Sequence, residues 1–180
     1  MPSKTAFITG ASSGIGQATA HQFAAAGFDL IISARRKSRI DELSRLLVEQ
    51  HGVEVLALEL DVRDQEAVRE SIGSLPKKWQ AIDVLINNAG LSRGLVTIDK
   101  GLISDWDEMI DTNVKGLLYV SRAVTPLMVK RQAGHIINIG SIAGHEVYAN
   151  GAVYCASKHA VDALTKGMRI DLCQHGVKVS

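Results

Sequence analysis

The sequence predicts a doubly wound α/β domain built on one parallel sheet. Two observations lead to this fold class. Short apolar runs such as AFIT, DVLI and HIINI alternate with longer amphipathic stretches along the 180 residues. The runs are also rich in β-branched residues, which is typical of central strands buried on both faces of a parallel sheet. Strands that alternate with helices through right-handed crossovers give a doubly wound sheet, in which ligands bind at the carboxyl ends of the strands.

The elements follow from these runs in chain order. Five strands are predicted from the apolar runs: Thr5–Thr9, Asp29–Ser33, Val53–Glu59, Val84–Asn87 and His135–Ile139. Five helices are predicted from the stretches between and after them: Gly14–Ala26, Ser38–His51, Gln65–Leu75, Ser104–Arg131 with a break near Asn113, and Ala152–Gln174. Residues 176–180 resemble the start of a sixth strand. Because a sheet that stops there leaves an edge exposed, we expect residues 1–180 to form a single domain whose C-terminal part is missing.

Composition narrows the class of protein. Hydrophobic residues make up 46% and charged residues 22%, which is ordinary for a soluble domain. A net charge of +1 gives no reason to expect a nucleic acid or anionic membrane partner. No apolar run approaches the roughly 20 residues that span a bilayer, and no signal segment precedes the first strand. Cys155 and Cys173 are too few for a disulfide framework, and the histidines form no metal-like cluster, so we expect a cytoplasmic protein without a metal.

The loop after the first strand has the spacing Gly-x3-Gly-x-Gly and opens a helix. Glycine permits positive φ and close backbone approach, and a helix N-terminus offers free N–H groups to a pyrophosphate. An alternative is that the glycines only shape the turn. The candidate phosphate contacts are Gly10, Ser12, Ser13, Gly14, Ile15 and Gly16.

The residues after the second strand favour NADP(H) over NAD(H). NAD-type sites place an acidic residue there, but this chain has Arg35, Arg36 and Lys37, which suit a 2′-phosphate. The alternative is a solvated basic start to the next helix. After the third strand, Asp61 and its neighbour Val62 are candidates for the adenine pocket, with Asp61 bonding the adenine amino group. Asp61 is equally placed to cap the helix that follows.

A candidate catalytic set follows the fifth strand. Ser141 stands at the carboxyl edge of the sheet, and Tyr154 and Lys158 are four residues apart, so they share one face of a helix. An ammonium about 5 Å away would stabilise a phenolate by roughly 3 kcal/mol, which suits general acid/base catalysis. Each feature alone is more often structural, since such a serine caps helices and such a tyrosine packs beside lysine.

Five motifs in order resemble those of the short-chain dehydrogenase/reductase family. They are Thr9–Gly16, Asn87–Gly90, Asn113, Ser141 and Tyr154–Lys158. The resemblance implies a Rossmann-like sheet, a nicotinamide cofactor and a catalytic tetrad of Asn113, Ser141, Tyr154 and Lys158. It also implies that Asn88, Ala89 and Gly90 line the cofactor cleft. For Asn87 and Asn88 the alternative is that they close the strand end by bonding backbone.

The resemblance also implies a role for each member of the tetrad. Tyr154 would exchange a proton with the substrate oxygen, and Lys158 would bond the nicotinamide ribose. Ser141 would position the substrate, and Asn113 would hold the helix kink and a water beside Lys158. The segments around residues 106–116 and 140–151 are similar to NADP-dependent 3-hydroxy acid dehydrogenases, which oxidise serine and related small hydroxy acids. A homotetramer held by the two last long helices is the oligomer that the family implies.

The sequence leaves three functions open. The first is an NADP(H)-dependent oxidoreductase that acts on a small alcohol or carbonyl compound. The second is a non-catalytic NADP(H)-binding sensor or scaffold, which an intact tetrad disfavours. The third is epimerisation or dehydration of a nucleotide sugar, which the glycine spacing disfavours. Outside these motifs, Asp105, Asp107 and Glu108 are interpreted as an acidic first turn that complements a helix dipole.

Overall fold

Six strands form a single parallel sheet in the computed structural model, which describes residues 3–180. They are β1 (Thr5–Thr9), β2 (Asp29–Ala34), β3 (Val55–Glu59), β4 (Ile82–Asn87), β5 (Gly134–Asn138) and β6 (Val177–Val179). The strand order is β3-β2-β1-β4-β5-β6. The chain therefore runs outwards from β1 to one edge, returns, and runs from β4 to the other edge. This reversal opens a crevice at the carboxyl ends of β1 and β4, and the predicted doubly wound fold is confirmed.

Six α-helices lie within residues 3–180. They are α1 (Gly14–Ala25), α2 (Lys37–His51), α3 (Gln65–Gly73), α4 (Ile103–Ile110), α5 (Leu117–Arg131) and α6 (Ala152–Leu172). The predicted bounds of strands and helices agree with these within two residues. The predicted break near Asn113 lies where α4 gives way to α5, but the helix is interrupted there without ending. A π-helical segment, Asp111–Gly116, joins α4 to α5, so the chain stays helical through Asn113.

Alternation along the strands builds two cores. Successive side chains of β1 and β2 point to opposite faces, and each face is covered by helices. The core on one face contains residues of β1, β2, α1 and α2: Ala6, Ile8, Leu30, Ile32, Ala20 and Leu43. The core on the other face contains residues of the central strands, α3 and α5: Phe7, Ile31, Leu85, Val68 and Val124. Burial on both faces explains why the central strands are continuous apolar runs.

The N-terminus of α3 is capped by Asp64 and not by Asp61. The Asp64 carboxylate accepts hydrogen bonds from the backbone N–H groups of Glu66 and Ala67, both at 3.0 Å. The alternative prediction that Asp61 caps this helix is therefore wrong. Because Asp64 satisfies the first turn of α3, the carboxylate of Asp61 is free of any capping duty there.

The described part of the chain has neither a membrane-spanning helix nor a group of metal-binding side chains. Among residues 3–180 there is no helix with the length and apolar character needed to cross a membrane. The His, Cys, Asp and Glu side chains within the same range do not gather in threes in a way that could hold a metal ion.

Candidate active site

A cleft of about 700 Å³ opens at the carboxyl ends of the parallel strands. It is bordered by the loop after β1, the ends of β2 and β3, the segment after β4 and the start of α6. Fourteen of the predicted site residues line it: Gly10, Ser12, Ser13, Gly14, Ile15, Arg35, Arg36, Asp61, Val62, Asn88, Ala89, Gly90, Tyr154 and Lys158. The topology therefore brings the nucleotide motifs and the Tyr154/Lys158 pair to one cleft.

The loop after β1 approaches its neighbours too closely for side chains. Gly10 and Gly14 adopt φ values of +66° and +57°, which favour glycine. A Cβ atom at Gly16 would overlap the side-chain nitrogen of Asn88 and lie 2.5 Å from the carbonyl oxygen of Gly10. Ser13 precedes α1 and makes no side-chain hydrogen bond to its first turn. The first N–H groups of α1 therefore face the cleft without a side-chain cap, as a phosphate site requires.

Asn88 ties the segment after β4 to this loop. Its side-chain Nδ2 donates to the carbonyl oxygens of Thr9 at 2.9 Å and of Gly10 at 3.2 Å. The alternative prediction of a backbone-bonding role thus holds for Asn88. It does not hold for the Asn87 side chain, which donates to Asn138 Oδ1 and Ser121 Oγ, both at 2.9 Å. Asn88 consequently shapes the cleft as well as lining it.

The basic end of the cleft lies where β2 ends. Arg36 donates to the hydroxyl oxygens of Ser12 at 3.0 Å and Ser13 at 3.2 Å. Its guanidinium therefore lies across the loop that follows β1. Lys37 pairs with Asp41 on α2 and does not line the cleft, so the solvated interpretation applies to Lys37 alone.

Arg35 reaches across to α4, where its Nη1 atom lies 3.3 Å from Glu108. Glu108 lies in the second turn of α4 and not in the first, so its predicted role at the helix dipole is wrong. Its carboxylate instead lies within 4 Å of three guanidinium groups, those of Arg35, Arg63 and Arg93. Burial alone would raise the pKa of Glu108, but hydrogen bonds from Arg93 and Arg35 outweigh it and hold the pKa below its usual value. Sequence reasoning missed this hub because its partners lie far apart along the chain.

Asn113 fixes the segment after β4 against α6 from within the π-helical segment. Its Oδ1 accepts from the backbone N–H of Leu91 at 2.8 Å, and its Nδ2 donates to the Leu91 carbonyl at 2.8 Å. The same Nδ2 lies 3.0 Å from Ser157 Oγ on α6. Asn113 is buried and does not line the cleft, so it acts on the cleft through Leu91 and α6.

Lys158 is held beside Tyr154 by the end of β5. Its Nζ donates to the carbonyl oxygen of Ile139 at 2.7 Å, and only 8% of the residue is exposed. Burial lowers the pKa of Lys158 below its usual value. Both residues lie on α6, where a spacing of four places them on one face, and both line the cleft.

Ser141 follows β5 at the same edge of the sheet. Its Oγ accepts from the backbone N–H of Ala143 at 3.2 Å, so it caps the short 3₁₀ turn Ile142–Gly144. The alternative prediction of a capping serine is therefore observed. Its hydroxyl hydrogen remains free to donate, so capping does not prevent the hydroxyl from bonding a substrate oxygen.

The cleft also contains residues that the sequence did not single out. Leu91, Ser92 and Thr112 line it, together with Leu60 and Gly140. Each directly follows or precedes a predicted motif, so extending the motifs by one or two residues would have found them. Of the predicted site residues, Gly16, Asn113 and Ser141 do not line the cleft.

Comparison with known proteins agrees with this geometry. The family model described as short chain dehydrogenase matches residues 4–180. The NADP-dependent 3-hydroxy acid dehydrogenase of Salmonella typhi is 46% identical over 172 residues. That alignment covers 96% of this chain and 67% of the relative, so the chain spans about two thirds of the relative's length.

Two solved structures resemble the chain closely. The crystal structure of serine dehydrogenase from Escherichia coli gives a TM-score of 0.90 at 43% identity, covering 96% of this chain and 78% of that one. The closed form of serine dehydrogenase complexed with NADP⁺ gives a TM-score of 0.91 at 43% identity, covering 97% of this chain and 69% of that one. The resemblance that the motifs indicated is therefore confirmed.

Proposed function

The chain belongs to the short chain dehydrogenase family, and from this premise we propose that it forms the NADP(H)-binding and catalytic domain of a dehydrogenase. The enzyme transfers a hydride between the nicotinamide and a small alcohol or carbonyl compound. The observation that carries the proposal is that Tyr154 and Lys158 line the same cleft as the glycine-rich loop after β1. A binding module has no need of an acid/base pair at that position.

The residues present fit the nucleotide. The open space at Gly14, where an added Cβ atom would meet nothing within 4 Å, and the uncapped N-terminus of α1 suit a pyrophosphate. Arg35 and Arg36 offer planar guanidinium groups to a 2′-phosphate, where a carboxylate would repel it. Asp61 and Val62 receive the adenine, and Asn88, Ala89 and Gly90 line the path to Lys158. These residues favour NADP(H), which is also the cofactor named for the relatives.

The catalytic residues then divide the work. The bound nicotinamide ring supplies the position that accepts or gives the hydride. Tyr154 takes the proton from the substrate hydroxyl during oxidation and returns it to the carbonyl oxygen during reduction. Lys158 bonds the nicotinamide ribose and stabilises negative charge on the Tyr154 oxygen. Ser141 donates a hydrogen bond to the substrate oxygen. Asn113 holds Leu91 and α6 in fixed positions relative to each other through its hydrogen bonds to Leu91 and Ser157.

A 3-hydroxy acid such as serine is the substrate that the comparisons favour. The relative from Salmonella typhi is named for 3-hydroxy acids, and the solved structure from Escherichia coli is named for serine. The alternative function, a non-catalytic NADP(H) sensor, predicts binding without turnover. The test is reduction of NADP⁺, followed by nicotinamide absorbance in the full-length protein, across small alcohols that include serine and 3-hydroxypropionate. Turnover supports the dehydrogenase, and measurable NADPH binding without turnover on any panel member contradicts it.

We propose in addition that residues 1–180 act as one domain of a cytoplasmic homotetramer. Helices α5 and α6 expose apolar side chains at Leu118 and Ile170, with 37% and 74% of each residue accessible. Burying such side chains between copies of α5 and α6 removes them from water. Light scattering on the full-length protein is expected to give four times the monomer mass. A monomer mass would contradict the tetramer.

A further inference from the structure

Arg63 clamps the carboxylate of Asp61. The Arg63 Nε atom lies 3.0 Å from both carboxylate oxygens, and its Nη2 atom lies 2.6 Å from Oδ2. The backbone N–H of Arg63 also donates to Oδ1 at 3.0 Å. Asp61 lines the cleft, whereas Arg63 is not one of the residues that line it. Arg63 therefore fixes the orientation of a cleft residue without bordering the cleft itself.

A second carboxylate anchors Arg63 from another element. The Arg63 Nη1 atom lies 3.7 Å from Glu108 Oε1 on α4, and the Glu108 side chain is only 19% exposed. Two carboxylates, one after β3 and one on α4, therefore fix the guanidinium. A guanidinium with two fixed partners loses most of its rotamer freedom before any ligand binds.

The Asp61 carboxylate does not cap a helix. Asp64 caps α3, so the cap does not explain why Asp61 is clamped. Burial would raise the pKa of Asp61, but the hydrogen bonds from Arg63 outweigh it and hold the pKa below its usual value. Asp61 therefore presents an ionised carboxylate to the cleft. The four contacts come from three N–H groups of Arg63, because the Nε–H is shared between the two oxygens. Two carboxylate oxygens offer about four acceptor sites, so one site is left for a further donor.

We propose that Arg63 is a positioning residue for adenine recognition, because it aims the Asp61 carboxylate at the 6-amino group of the nucleotide base. This inference rests on the proposed function, in which the cleft binds NADP(H). An ionised carboxylate accepts a hydrogen bond from an amino group and repels a keto oxygen at the same position. Arg63 thus determines how strongly the protein prefers adenine over a 6-keto base, without touching the base.

The test compares the binding of two nucleotides, NADP⁺ and nicotinamide hypoxanthine dinucleotide phosphate, in which a keto group replaces the amino group. We expect the wild type to bind NADP⁺ about tenfold more tightly, the difference typical of a hydrogen bond to a charged group. In Arg63→Gln we expect NADP⁺ to bind less than about twofold more tightly than the hypoxanthine nucleotide, because the freed Asp61 carboxylate rotates. Arg63→Lys retains the charge but not the planar fork, so it should lose most of the preference as well.

Two controls separate positioning from general damage. Arg69→Gln breaks a similar exposed pair with Glu66 on α3 and should leave the preference unchanged. Asp61→Asn should abolish the preference, and adding Arg63→Gln to it should change nothing more. A wild-type preference that persists in Arg63→Gln, or equal weakening of both nucleotides, would overturn the role of Arg63. Absence of NADP⁺ binding by the wild type would instead contradict the proposed function.

Discussion

Replacing Tyr154 with phenylalanine is expected to lower kcat by about two to four orders of magnitude, the range that a positioned acid/base group contributes. The change removes one oxygen and leaves the ring in place. The backbone of α6 and the contact between Lys158 and Ile139 are not touched. We therefore expect the dissociation constant of NADPH to change by less than about twofold, since the loss falls on proton transfer and not on binding.

A matched substitution controls for the loss of a phenol. Tyr119→Phe makes the same change on α5, where Tyr119 packs against the core on the other side of the sheet from α1 and α2. It should leave kcat near the wild-type value. Steady-state kinetics with the best substrate and NADP⁺ would measure both variants. Turnover of Tyr154→Phe within a few fold of the wild type would exclude Tyr154 as the acid/base and leave the proton transfer to another group.

The sequence predicted the sheet well because strands buried on both faces are short continuous apolar runs, a pattern that few other elements share. Runs such as Leu30-Ile31-Ile32 are apolar on successive residues, and both faces of the sheet are indeed buried. Parallel strands end at one edge, so residues that follow different strands were expected to meet there. The cleft contains the motifs after β1, β2, β3 and β4 for this reason.

Local choices between equivalent residues were harder to predict. Asp61 and Asp64 both precede α3, and either carboxylate suits an N-cap. Only the path of the backbone decides, and it gives the cap to Asp64 and leaves Asp61 to Arg63. The π-helical segment around Asn113 is a similar case, because a helix broken there and a helix locally widened there have the same sequence pattern.

Ion pairs between residues far apart in the chain could not be predicted from the sequence. Glu108 resembles any acidic residue near the start of a helix, yet its partners are Arg35, Arg63 and Arg93. Arg35 is 73 positions away in the chain. No local pattern encodes that meeting, because it depends on the fold bringing Glu108 of α4 near the arginines that follow β2 and β3.

Replacing Arg36 is expected to have a large effect on the preference for NADP⁺ over NAD⁺. Arg36→Ala is expected to weaken NADP⁺ binding by about 10- to 100-fold, the range for losing charge-assisted hydrogen bonds to a phosphate. Binding of NAD⁺ should change by less than about threefold, because NAD⁺ has no 2′-phosphate to lose contact with. Titration of both nucleotides against the wild type and the variant would measure the two effects side by side.

Arg36→Ala also has an effect on binding that does not depend on the 2′-phosphate. Arg36 also bonds Ser12 and Ser13, so its removal would loosen the loop that we propose binds the pyrophosphate of either nucleotide. Loosening alone would weaken NADP⁺ and NAD⁺ equally, and that result would contradict recognition of the 2′-phosphate by Arg36. Arg39→Ala removes a charge from the exposed face of α2 without reaching the cleft, and it should preserve the preference. A selective loss of NADP⁺ in Arg36→Ala, absent in Arg39→Ala, therefore assigns the preference to one contact and not to the net charge of α2.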